Sequence, residues 1–149
     1  MTTTLKSLHI LGACLFLGNI IVSGLWKTLA DRNGNLLVAR FATRLVNITD
    51  IVFTGLGAAL LLASGHLLSG YYGGVLRNDW MLWSYILFAI SGLIWAAILV
   101  PIQVKQSRLL REATQDIPGE YYRLARIWAI AGTLATLAPL PAIYLMVAK

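Results

Sequence analysis

Four apolar stretches without a single Asp, Glu, Lys or Arg occupy residues 7–26, 51–76, 80–104 and 127–148 of this 149-residue chain. A bilayer's hydrocarbon core is about 30 Å thick, which about 20 helical residues cross at about 1.5 Å each. Every stretch is long enough, so the solvent for most of the chain is lipid. The expected fold is all-α: one integral membrane domain over residues 1–149, with spans near 5–29, 48–70, 80–103 and 122–147. Short links make this an up-down-up-down four-helix transmembrane bundle.

Charge distribution sets the expected orientation. Only 12% of residues are charged, where a soluble domain has about a quarter. The net charge is +6, and the basic residues are segregated. Lys27, Arg32, Arg40 and Arg44 fall in the first connection, and Lys105, Arg108, Arg111, Arg123 and Arg126 in the third. Only Lys6, Arg77 and Lys149 fall on the other side. Basic loops stay cytoplasmic, so the chain reads as a multi-pass membrane protein with its first and third connections in the cytoplasm. Both termini and the loop around residues 70–80 then lie on the outer, periplasmic side. Anionic lipid headgroups are the expected partners of the basic loops, not nucleic acid.

Local signals fill in the course of the chain. Leu11-Gly12-Ala13-Cys14 has the form of a lipoprotein cleavage box, but one lysine precedes it, His9 interrupts the apolar run, and three spans follow. It reads as part of an uncleaved first helix. Cys14, the sole cysteine, allows no intrachain disulfide. Asp31-Arg32-Asn33-Gly34-Asn35 reads as a turn, and helical periodicity resumes at Leu36. Trp80 and Trp83 fit an interfacial aromatic belt. Pro101 marks a bend in the third helix, and Pro118-Gly119 a turn before the fourth. Pro139 and Pro141 free carbonyls around residues 135–137, which need donors from elsewhere in the bundle.

Polar residues inside the spans point to candidate sites, since each needs a partner or a purpose in lipid. His9, Phe16, Ile20, Ser23 and Lys27 share a stripe of the first helix, with Asn19 beside it. Gly55, Ala59 and Ala63 form a small-residue ladder suited to helix association, and His66 shares its face. His9 and His66 both sit about one turn below the outer surface. Paired imidazoles there suit a haem b or a small metal site, or each histidine simply bonds a neighbour such as Ser64 or Tyr144. Met81 and Met146 lie at the same level, with thioethers suited to Cu(I) or haem iron. On the inner side, Lys27 and Asp50 are expected to form a structural ion pair, with a proton or substrate relay as the alternative. Gln103, Ser91 and Thr133 read as ordinary packing residues. No hydrolase elbow, phosphate loop, HExxH or CxxC occurs.

Two resemblances bear on this reading. Leu8-His9-Ile10-Leu11-Gly12-Ala13, Gly18-Asn19-Ile20-Ile21-Val22, Trp26-Lys27 and Ala30-Asp31-Arg32 resemble a bacterial family of predicted four-helix membrane proteins, domain of unknown function 2269. The likeness continues through Arg44-Leu45-Val46, Thr49-Asp50, Ser91-Gly92-Leu93-Ile94-Trp95 and Leu99-Val100-Pro101-Ile102-Gln103. More distantly, Leu8-His9-Ile10 with Phe16 is similar to the first helix of HemJ-type protoporphyrinogen oxidases, and the CopD-type membrane domains are similar at the same level. That likeness implies haem or metal binding at His9, although Trp80-Met81-Leu82-Trp83-Ser84 lacks the lysine of the HemJ-type pattern. Three functions are therefore expected in turn. The first is a haem- or metal-binding membrane protein. The second is a non-catalytic accessory or assembly subunit that associates with a second copy or a membrane partner. The third is a small transporter or ion pathway.

Overall fold

A computed structural model describes residues 2–148; Lys149, counted above with the outer basic residues, lies outside them. Four long helices make up the fold: α1 Thr2–Asn33, α2 Leu36–Gly70, α3 Asp79–Glu112 and α4 Gly119–Val147. All four are long and apolar enough to cross a membrane, and no strand occurs among the described residues. Each helix packs beside the next, and α4 returns against α1, so the four close a bundle.

The distribution of side chains is inverted relative to a water-soluble bundle. Ile10, Leu25, Ile51, Leu93, Leu134 and Ile143 face outward, as lipid requires and water would penalise. Lys27, Thr43, Asp50, Ser91, Gln103 and Gln106 are buried inside.

The closest helix contact is made by glycines. A Cβ on Gly57 would lie 2.7 Å from the Phe16 amide nitrogen and 2.9 Å from the Gly12 carbonyl oxygen. Only hydrogen at these positions lets α1 and α2 approach so tightly. The buried stripe of α2 therefore runs through Asp50, Gly57 and Ser64, every seventh residue. The Gly55/Ala59/Ala63 ladder is not that stripe, since Ala59 and Ala63 are exposed.

Backbone irregularities are matched by donors. Gly34 turns the chain at φ 73°, and the Asn35 side chain then accepts from the Leu37 and Val38 amides to start α2. Arg40 donates to the Leu110 and Ala113 carbonyls at the end of α3. Two π-helical turns, Asp50–Gly55 in α2 and Trp95–Leu99 in α3, interrupt the α-helical register. The second directly precedes Pro101, so α3 absorbs the proline and continues to Glu112. In α4 the helix breaks after Leu137 and resumes as Leu140–Val147. Pro139 has no N–H for the Ala135 carbonyl four residues back; Ser91 of α3 donates to it instead at 2.7 Å.

Candidate functional site

A cavity of about 550 Å³ opens where α1 begins and α4 finishes, and all four helices line it. Its walls are nearly all apolar, and its few polar groups include His9, Ser69, Ser84 and Tyr85. Met81 and Met146 line the same cavity, so three of the expected ligand residues converge.

The orientation of His9 follows from its neighbour. Ser64 donates its hydroxyl to the Leu60 carbonyl. Its oxygen stands 3.0 Å from His9 Nδ1, a hydrogen bond that orients the imidazole ring at the cavity wall. Gly65 makes room for the ring: a Cβ there would lie 3.1 Å from His9 Cε1. The Tyr85 hydroxyl, 3.9 Å from the same point, is a buried group without a hydrogen-bond partner among the described residues.

His66 does not join this site. It lies two residues beyond Ser64, a rotation of about 200° around α2, and is exposed on the outside of the bundle. The expected His9–His66 pair is thus not brought together, and His9, Met81 and Met146 line the cavity without His66. Among the described residues no group of three or more His, Cys, Asp or Glu is arranged to hold a metal ion.

The second expected pair is also rearranged. Lys27 is bonded at 2.8 Å to Asp31, one turn along its own helix, not to Asp50. Tyr121 completes this cluster, accepting from Lys27 at 3.0 Å and donating to Asp31 at 2.5 Å, with Thr43 at 3.2 Å. The Lys27 ammonium also stands 5.0 Å and 5.2 Å from the centroids of the Tyr121 and Trp128 rings. Two aromatic faces and a carboxylate thus surround a cation that is fully shielded from solvent.

Asp50 is held by neutral donors from three helices. Gln103 donates at 2.6 Å to one carboxylate oxygen, and Asn19 donates at 3.0 Å to the other. Thr54, one turn on, stands 3.5 Å from that second oxygen and accepts from Asn19 at 2.9 Å. Trp95 of α3 lines the cleft beside the same carboxylate. A cleft of about 470 Å³ between α1, α3 and α4 reaches Asp50 past Trp95 and Trp128.

Apolar exteriors on four span-length helices, enclosing hydrogen-bonded polar groups, are the requirements of a protein built for lipid. The family model for predicted integral membrane proteins, DUF2269, matches residues 3–149. The chain belongs to DUF2269. No curated protein and no solved structure matches it.

Several contributors to the interior of this DUF2269 chain escaped sequence reading. Asp31 reads as a turn residue, Gln103 as packing and Tyr121 as part of the anchor at the inner end of the fourth span, while Tyr85 is not singled out by the sequence. One signal was present: Gln103, Gln106 and Leu110 recur at the i, i+3, i+7 spacing of a buried face. A pair of glutamines on such a face in a membrane helix needs polar company.

Proposed function

We propose that this protein binds a lipophilic cofactor in the cavity at the end where α1 begins, and that the cofactor is a b-type haem held through His9. The observation that carries the reading is the Ser64–His9 hydrogen bond, which orients the imidazole at the wall of the apolar cavity. The donor set fits a His/Met-ligated haem rather than a bis-histidine one, because Met81 and Met146 line the cavity and His66 does not. Apolar walls suit the porphyrin faces, and Lys6 at the lining suits a propionate. Bound haem would supply one-electron chemistry. The chain's own part is to orient the imidazole, exclude water and present the sulfur ligands. Native mass spectrometry of protein purified in mild detergent from haem-replete cells tests this: a mass increment of one haem is expected. Haem-free protein would overturn the reading.

The Tyr85 hydroxyl favours a second occupant class, a lipophilic molecule with a carbonyl group that accepts the Tyr85 O–H. Solvent extraction of haem-free protein would then yield a quinone-like molecule, lost in Tyr85→Phe. The outward-facing Ala59 and Ala63 support association with a second copy; a disulfide dimer of Ala59→Cys in a Cys14→Ser background is the expected sign. We place the chain in the bacterial inner membrane with the basic loops cytoplasmic. A C-terminal reporter should therefore be active only if it works in the periplasm.

A further inference from the structure

The buried polar atoms without a protein partner are not scattered through the bundle. Apart from the Tyr85 hydroxyl, those found among the described residues are Gln106 Oε1 and Nε2, Asn47 Oδ1, and the indole N–H groups of Trp26, Trp95 and Trp128. All of these lie from the level of Asp50 to that of the Lys27–Asp31–Tyr121 cluster. Gln103 meets Asp50, Leu110 packs with Tyr121, and Gln106 stands between them on the same face of α3. Asn47 lies beside it, donating to Ser107 at 2.8 Å. Native proteins leave few such groups unsatisfied, and those in polar interiors are met by water. Val46, Leu99 and Trp128 pack into an apolar cluster at the same level, and the polar side chains there include Asn47, Gln106 and Ser107.

The two ends of this layer are ionisable. At the basic end, the Asp31 side chain is 13% exposed and links solvent to Tyr121 and Lys27. At the deep end stands Asp50, whose partner Asn19 lies fourteen residues, about 21 Å, from the end of α1. Asp50 has no cation within ion-pair distance among the described residues. It faces Asn19 of α1 and Gln103 and Trp95 of α3, all neutral. The nearest cation on α1 is Lys27, two turns away and engaged by Asp31; Arg44 of α2 is exposed. On α3, Lys105 is bonded to Glu120 at the surface. On α4, the residues lining the Asp50 cleft, from Trp128 to Leu137, are uncharged; Arg32 of α1 lines the same cleft at its exposed end, thirteen residues beyond Asn19. Both π-helical turns begin in the Asp50 cluster, at Asp50 and at Trp95, and such turns recur at functional sites.

We infer that Asp50 is a proton-binding carboxyl inside the membrane, supplied by water along the Asn47–Gln106–Ser107 layer from the Lys27–Asp31–Tyr121 end. The ligand is a proton, and the step is its reversible transfer onto a carboxylate oxygen of Asp50. The reading is independent of any cofactor at His9. Dicyclohexylcarbodiimide tests it in the intact protein: this lipophilic reagent adds to protonated carboxyls and reaches Asp50 through the cleft lined by Leu25, Leu29 and Leu137. One adduct is expected on the Asp50 peptide, absent in Asp50→Asn. Its formation should fall as the pH is raised and the carboxyl loses its proton. No adduct at Asp50, or one independent of pH, would overturn the assignment. The water route has its own reading. With Cys14→Ser as background, Gln106→Cys should react with a membrane-impermeant thiosulfonate added at the basic face, and Ala135→Cys should not. An unreactive Gln106→Cys in folded protein would close the route.

Discussion

Gln103 of α3 donates a 2.6 Å hydrogen bond to the Asp50 carboxyl group of α2, tying two helices together through an acidic side chain that no lysine or arginine among the described residues pairs with. Replacing Gln103 by Leu removes that donor while the carboxylate stays buried. A loss of about 2 kcal/mol is expected, measured as earlier unfolding in mixed detergent micelles. Asp50→Asn in the same background should restore much of it, because a neutral amide is less costly to leave short of a donor.

Close packing of α1 on α2 depends on hydrogen at position 57. Gly57→Ala places a methyl 2.7 Å from the Phe16 nitrogen, forcing the helices apart at a cost of about 1–3 kcal/mol. Ala59→Leu, on the exposed face of the same helix, should leave the melting temperature of the monomer nearly unchanged. The reverse ranking would mean that the Gly55/Ala59/Ala63 ladder packs inside after all.

Within the Lys27 cluster the two charged partners are not equivalent. Asp31→Asn leaves a fully buried ammonium without its counter-ion, for which about 3–5 kcal/mol is expected. Lys27→Met leaves only a partly exposed carboxylate and should cost less. Unfolding midpoints of the two variants in one detergent decide the order.

How much of this was readable in the sequence depends on the range of each interaction. Span number, the turn at Gly34 and the helical restart at Leu36 rest on local patterns, and all recur in the fold. The partner of Lys27 did not follow from depth alone. Asp31 sits one turn away and captures the ammonium, while α2 extends fourteen residues before Asp50 and carries it deep into the bundle. The face of His66 was missed for a related reason. Small residues at four-residue spacing look like a contact ladder, yet the contact stripe is Asp50, Gly57 and Ser64. Which of two overlapping stripes turns inward is set by the partner helix, here by Gly12, and a single helix does not encode it.

Ser91 and Pro139 should behave as a coupled pair. Ser91→Ala strands the Ala135 carbonyl and should cost about 1 kcal/mol. In a Pro139→Ala background the restored N–H can serve that carbonyl, so the same substitution should cost little. A double-mutant cycle showing simple additivity would contradict the compensation.

The cofactor reading is tested most directly by the absorption spectrum of the purified protein, compared among wild type, His9→Ala and His66→Ala. The account predicts a Soret band in the wild type that persists in His66→Ala and is lost in His9→Ala. A band lost equally in both variants, or present in His9→Ala, would contradict it.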